Sequence, residues 1–402
     1  MSEPSNSINL PDSQDQDTQI KSSVTGKRPP TKDRKLSFRA GALVLGILLS
    51  LFTVEILVRL FNLTPPALIS KRHLVDRSSS GDVYYHCYPD NPHGEFEPLP
   101  KLTQGDWQLK TYTLEPKTLP IEQVNKTPWC VKYEHSFKGI RDRDYPEFPP
   151  KDVLRIVCVG DSFVFGEGVP VEKTLVRQLE GLAGKSVEII NGGQMGFDTL
   201  QELDILTTIA REGHCSRGII VFIPNDIAAA PKLAGRQKYI NDLVQIRDVY
   251  LQKYNQQNWH SGHLKSFQFI NSPIAMNKIK QETIQWYLDL YDPRHNQNNL
   301  QIFKEAIQFI PQIPDCQNVL ILYPLLEGFE TGYPLQAIHD QVKSIAEHAG
   351  IPVLDLMDAF RGQKTADLWV HPTDHHPNGT AHQIAASAIY EWLKKDVPGF
   401  LE

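Results

Sequence analysis

Between residues 151 and 398, short apolar runs alternate with segments whose apolar residues recur at helical spacing. Leu154–Val159, Val187–Ile190, Gly218–Ile223, Val319–Tyr323 and Pro352–Leu354 are short, near-continuous and rich in branched side chains. That is the pattern of strands covered on both faces. Val171–Leu182, Thr199–Arg211, Leu300–Phe309, Pro334–His348 and Ala381–Leu393 carry the longer helical period. Strands and helices alternating through short loops predict a mostly parallel five-stranded sheet inside a three-layer α/β/α sandwich. In such a sheet, ligands bind at the carboxyl ends of the strands. One interval breaks the rhythm: from about 227 to 299 the chain is polar and aromatic, with Trp259, Trp286, Tyr287 and Tyr291. It reads as an insertion, placed where a lid or substrate platform would sit, whose aromatic residues either stack on sugar rings or form the small core of a helical insertion, the second reading being preferred for most of them.

The residues before 151 follow different patterns. Residues 1–39 are polar, with almost no apolar content, and are expected to be a disordered cytoplasmic tail. Residues 40–61 read AGALVLGILLSLFTVEILVRLF, about long enough to span a hydrocarbon core as a helix. Glu55 and Arg59 are its only ionisable residues and lie four apart, on one face near the end of the span. Lys27, Arg28, Lys32, Arg34, Lys35 and Arg39 precede it, which marks the amino-terminal side as cytoplasmic. With no small-residue cleavage site after it, the segment is expected to be an uncleaved signal anchor. Everything after about Asn62 would then be periplasmic or extracellular. Residues 62–150 are rich in proline and aromatic residues and are expected to form a stalk and short strands beside the main domain, which occupies 151–398.

Composition narrows the possibilities little further. The chain has 402 residues, is 41% hydrophobic and carries a formal charge of −6. No internal repeat is visible, and mild acidity without a basic stripe argues against a nucleic-acid partner. Five cysteines do not make a disulfide scaffold in a chain of this length. An exported domain permits pairing, and Cys87 with Cys130, or Cys215 with Cys316, are candidate pairs. Free, buried thiols are the reading favoured for both.

The chemistry lies at the strand ends. Gly160-Asp161-Ser162-Phe163 directly follows the first apolar run, and Asp374-His375-His376-Pro377-Asn378 lies far downstream. Serine needs an adjacent base, and the base needs a third group to fix its tautomer. Ser162, His376 and Asp374 fit those roles. An acyl-transfer site also needs donors aimed at the developing oxyanion. The candidates are the backbone N–H groups of Ser162 and Gly196 and the side-chain amide of Asn225, which ends the third strand.

These blocks resemble those of the SGNH, or GDSL-type, hydrolases: Gly160-Asp161-Ser162, Gly196, Asn225-Asp226, and the carboxy-terminal Asp/His element. They occur in the family's order over roughly residues 150–395, and the anchor and stalk resemble its membrane-anchored bacterial members. The resemblance implies a flavodoxin-like fold and a serine esterase, lipase-like hydrolase or O-deacylase without cofactor. The exported setting makes O-acyl groups on carbohydrate the preferred substrate, with a lipid ester or acyl transfer to a sugar hydroxyl as alternatives. A non-catalytic polysaccharide-binding scaffold on the same fold is the reading from a different class. The sequence departs from the family in two places. The widespread Asp-x-x-His spacing would require an acid at Thr373, whereas Asp374 lies two before His376, a spacing similar to that of alginate-acetylation proteins. The family's third block often carries glycine two before the asparagine, a position held here by Ile223, with Pro224 next.

Simpler roles exist for several of these residues. Ser162 alone would suit a helix N-cap, and Asp161 is expected to bond turn amides. His371, His375 and His376 beside Asp374 have ligand chemistry, but no second ligand set accompanies them, and no metal is expected. Asn378 and Gly379 are expected to shape the turn into the last helix.

Overall fold

The computed structural model describes residues 31–61, 63, 72–77, 83–88, 90–102, 107–112, 117–120, 128–136, 138–227, 264–372 and 374–402. The chain divides into two compact units, one ending at Leu57 and one beginning at Val58. The first is dominated by helix α1, Thr31–Leu60. From Leu36 to Leu60 it is long and apolar enough to cross a membrane. Leu43, Leu45, Leu48, Leu49 and Phe52 are all exposed, as on a helix that is apolar on every side. Its hydroxyls are satisfied from within: Ser50 Oγ donates to Gly46 O and Thr53 Oγ1 to Leu49 O, both at 2.8 Å. In lipid such groups would find no other partner. The helix starts at Thr31 rather than Ala40, so residues 31–39, expected to be tail, form its first turns. Residues 1–30 lie outside the described residues.

The second unit begins with a six-stranded sheet: β1 (Arg72–Arg77), β2 (Val83–Tyr88), β3 (Glu97–Pro98), β4 (Trp107–Tyr112), β5 (Lys117–Pro120) and β6 (Trp129–Glu134). Its order is β3-β6-β2-β1-β4-β5, and every pairing is antiparallel. On β2 and β6, Cys87 stands opposite Cys130 and is bonded to it. This corrects the free-thiol reading for that pair. The register alone brings the two Cα atoms within 4.0 Å, a distance that sequence spacing does not reveal. Cys215 and Cys316 are free.

The main sheet comprises β7 (Leu154–Val159), β8 (Val187–Asn191), β9 (Arg217–Phe222), β10 (Gln317–Leu322) and β11 (Val353–Asp355). All its pairings are parallel, and the order is β11-β10-β9-β7-β8. Numbered within the sheet this is 2-1-3-4-5, the flavodoxin-like order, whose switch point lies between β7 and β9. The helices are α2 (Ser162–Phe165), α3 (Leu175–Ala183), α4 (Thr199–Glu212), α5 (Lys265–Leu290), α6 (Pro293–Phe309), α7 (Gln336–His348), α8 (Met357–Phe360) and α9 (Gly379–Asp396). Alternate strand residues feed two cores. Ile156, Cys158, Ile219 and Val221 pack with Leu175 and Leu179 of α3 and Ala385 and Ile389 of α9. Val157, Val159, Ile220 and Phe222 pack with Leu206 of α4, Phe303 of α6 and Val342 of α7. Burying each such branched or aromatic side chain stabilises the fold by roughly 1.5–3 kcal/mol.

Local signals set the helix ends. Thr174 caps α3 by accepting from Arg177 N, so the helix expected over 171–182 is a 3-10 turn, Val171–Lys173, followed by α3. Asp198 and Gln201 form a reciprocal capping box at α4. Asn378 caps α9, accepting from Ala381 N at 3.0 Å. In the insertion, α5 is helical and Tyr291 joins the core, its hydroxyl donating to Pro224 O at 3.0 Å. Tyr287 packs partly against the same core, which is that of the main sheet rather than a separate core within the insertion; Trp259 lies outside the described residues. A two-stranded ribbon, β12 (Trp369–His371) with β13 (Asp374–Pro377), precedes α9.

The Cys87–Cys130 bridge closes a loop with a sequence separation of 43. Replacing both cysteines with serine is expected to cost about 2–4 kcal/mol of stability. The shift of the urea midpoint in full-length protein checks it, and an unchanged midpoint would contradict it.

Candidate active site

The turn after β7 is built by exclusion. A Cβ on Gly160 would lie 2.4 Å from Val164 Cγ2 and 3.0 Å from Val221 O, so only glycine fits there. Asp161 then caps α2, its Oδ1 accepting from Phe163 N at 2.9 Å. The cap is therefore Asp161, and Ser162 is the first helical residue, which rules out the N-cap role for the serine. At that position the Ser162 N–H has no acceptor within its own helix.

The carboxy-terminal element closes onto the serine. Asp374 and His376 both lie on β13, where residues two apart share a face. This is the physical reason for the Asp-x-His spacing: a strand presents both side chains together. His376 Nε2 lies 2.8 Å from Ser162 Oγ, and His376 Nδ1 lies 2.5 Å from Asp374 Oδ1. With Asp374 ionised, the network assigns the proton to Nδ1 and leaves Nε2 to accept from the hydroxyl. Asp374 is 1% exposed. Its Oδ1 also accepts from His376 N at 3.3 Å, and its Oδ2 accepts from Tyr88 OH at 3.0 Å. Tyr88 comes from β2 of the six-stranded sheet.

Of the oxyanion candidates beyond Ser162, Asn225 is bonded to the serine turn directly and Gly196 lies in a loop bonded to it through Gln194. Asn225 Nδ2 donates one hydrogen to Asp161 Oδ2 at 2.8 Å, which fixes the amide plane. Burial pushes the Asp161 carboxyl up, while the Phe163 N–H and the Asn225 amide pull it down. Gly196 has φ +68°, in the left-handed region, and lies in the loop after β8. That loop is tied to the serine turn by Gln194 N, which donates to Gly160 O at 3.0 Å. A Cβ on Gly193 would meet Phe165 N at 2.2 Å, so this loop touches α2 directly. Behind Asp161 lie Glu202 and Asp226, both buried. Burial first, and neighbouring carboxylates second, hold each well above the usual carboxylate range.

Several site residues escaped the sequence reading. Glu167 Oε2 lies 3.2 Å from His376 Nε2. His86 of β2 faces Glu167 at 3.8 Å, and Tyr133 of β6 accepts from Gly168 N at 2.5 Å. Arg141 donates to Phe165 O at 2.9 Å and to Gly166 O and Val169 O at 2.5 Å. The one local signal was an acid between two glycines, Gly166-Glu167-Gly168. The contacts from the other sheet had none.

The histidine cluster is dispersed. His371 Nε2 lies 2.5 Å from Asp90 Oδ1, and His375 pairs with Glu327 at 2.8 Å while stacking on Trp369 at 3.7 Å. Among the described residues the metal-type grouping is instead His86, Glu167 and Asp374, with donor atoms within 4.8 Å of one another. Both Asp374 oxygens are already engaged, Oδ2 by Tyr88 and Oδ1 by His376, so coordination there would compete with an existing hydrogen bond.

No family model matches the chain, and no curated protein does. Solved structures similar to it include a member of the lipolytic protein G-D-S-L family from Veillonella parvula DSM 2008. It has 15% identity, with 60% of this chain and 100% of that one covered, at a TM-score of 0.33. A psychrotrophic esterase, EstA, from Pseudoalteromonas sp. has 13% identity over 60% and 98%, at a TM-score of 0.35. An aryl esterase from M. smegmatis has 14% identity over 60% and 99%, at a TM-score of 0.33. Likeness at this level says nothing about activity, which is read from the residues themselves.

His382 of α9 is fully buried, and burial, with Arg141 and His376 nearby, lowers it to about 3. The unfolded chain binds that proton near pH ~6.5. Its stabilising contribution is therefore full above ~6.5 and is lost as pH falls from there toward 3. His382→Leu is expected to flatten the acid-side decline of the denaturation midpoint between pH 7.5 and pH 4. Parallel wild-type and variant curves would contradict it.

Proposed function

We propose that the chain is a membrane-anchored serine ester hydrolase of the SGNH type. The observation that carries this reading is the unbroken hydrogen-bond chain from Ser162 Oγ through His376 to buried Asp374. Ser162 Oγ attacks the ester carbonyl carbon, and its proton passes to His376 Nε2. Asp374 holds the imidazole in the required tautomer and stabilises the imidazolium. Oxyanion charge is met by Ser162 N–H, Gly196 N–H and the second hydrogen of the Asn225 amide. As the tetrahedral species collapses, the C–O bond to the alcohol breaks and Nε2 returns the proton to the leaving oxygen. Water then repeats the sequence on the acyl-serine, releasing the acid and restoring the hydroxyl.

The substrate class follows from the setting. The basic residues before α1 favour a cytoplasmic amino terminus and an exported domain. The Cys87–Cys130 bridge supports the same side, since such bonds persist in oxidising compartments. An ester hydrolase tethered outside the cytoplasm meets O-acylated envelope or extracellular carbohydrate, which is the substrate proposed.

Full-length protein in detergent is expected to label with a fluorophosphonate probe, and Ser162→Ala to abolish labelling. A folded wild type that does not label would sink the reading. Asn225→Ala should lower kcat by about 10²–10³ with a much smaller change in KM. Alkaline phosphatase fused after Glu402 is expected to be active; an inactive fusion that is nonetheless expressed would reverse the proposed topology.

A further inference from the structure

His376 Nε2 has two partners. Ser162 Oγ lies at 2.8 Å and Glu167 Oε2 at 3.2 Å. In the resting site Nε2 receives the serine hydroxyl. Once that proton has transferred, Nε2 carries an N–H and the ring a positive charge, and Glu167 is in reach of both. Glu167 is 6% exposed, so water screens the pair little.

The turn that carries Glu167 is built to hold it there. Gly166 and Gly168 flank it with φ of +78° and +85°. A Cβ on Gly166 would meet Thr174 Cγ2 at 2.4 Å, and one on Gly168 would meet Tyr88 Oη at 2.7 Å and Val370 Cγ1 at 2.8 Å. The Arg141 guanidinium clamps the carbonyls on either side, and Glu167 N donates to Ser162 O at 3.0 Å. A merely solubilising acid would need none of this.

We propose that Glu167 is a positioning residue for the reaction, a second carboxylate that holds the His376 imidazolium and so sets the acid limit of the site. The proposal rests on the hydrolase reading above. The groups facing His376 are Asp374 from β13, Ser162 and Asp161 from the serine turn, Glu167 from the turn after α2, and His382 from α9. His86, Tyr133, Arg141 and the carboxylates of Asp161 and Asp374 face Glu167. His382 is uncharged at working pH, and the Arg141 guanidinium is engaged by carbonyl oxygens, so Asp374 and Glu167 supply the opposing charge nearest the ring. An opposite charge this close favours the protonated ring.

The test is the pH profile of kcat/KM for p-nitrophenyl acetate with full-length protein in detergent. In Glu167→Gln the acidic limb is expected to move down by about one unit. The plateau should fall by about threefold, because a weaker base takes the serine proton more slowly. A folded, active variant with an unmoved limb would overturn the proposal. Titration of His376 by NMR in histidine-labelled protein, identified by loss of its signal in His376→Gln, reads the same shift without turnover. A wild type inert toward esters therefore defeats the hydrolase reading alone, while an unshifted His376 titration defeats this proposal alone. Should Glu167→Gln not fold, Glu167→Asp keeps the charge but withdraws it from Nε2. Its limb and titration are expected between wild type and the value for a neutral partner, and wild-type behaviour in Glu167→Asp would overturn the proposal.

Discussion

The buried carboxylate of Asp374 is the constraint on which the site depends. Taking such a charge out of water costs several kcal/mol unless donors replace the solvent. Here three do so: the Tyr88 hydroxyl, the His376 ring and the His376 backbone. They come from two different sheets, so the carboxylate is satisfied only when the two are packed together. Tyr88, Val131, Tyr133, Phe165, Val169 and Val370 share one apolar cluster, which makes that packing firm. The disulfide sits next to Tyr88 in sequence and joins the two strands that carry Tyr88 and Tyr133. The region before the main domain is thus part of the site rather than a spacer.

The main sheet supplies the other half. Ser162 and Asn225 follow β7 and β9, the neighbouring strands at which the strand order reverses. At such a point the chain leaves in opposite directions and a crevice opens. Gly160 and Gly193 let the two loops approach until backbone meets backbone. Asp161 joins the serine turn to Asn225 through a single carboxylate. Asp161, Glu167 and Asp374 are all buried, and in a low-dielectric setting each such charge weighs more than it would in water.

Much of this was legible along the chain. The five strand runs needed only their apolar continuity, because a parallel sheet covered on both sides leaves no polar face to obscure the pattern. Ser162, His376 and Asp374 were visible because their residue types and order suit one chemistry. The Asp-x-His spacing looked like a departure until β13 showed that a strand places alternate residues on one face. Helix α1 extends beyond the apolar run that was legible in the sequence because helix formation continues through charged residues, whereas the apolar pattern begins only where charge stops.

Local order and residue chemistry were determined by the sequence alone: which segments are strands, which serine ends one, which helix is apolar enough to cross a bilayer. The partners of those residues were decided only by tertiary structure. Tyr88 reaches Asp374 across 286 positions and Ser162 reaches His376 across 214, and nothing in the spacing of either pair encodes the contact. Cys87 and Cys130 meet because an antiparallel register puts them opposite one another. Glu167 lies in the same turn region as the serine, yet its direction depends on Arg141 and Tyr133, which hold that turn from outside. Periodicity and side-chain chemistry are local properties, while the aim of a side chain is settled by what packs behind it.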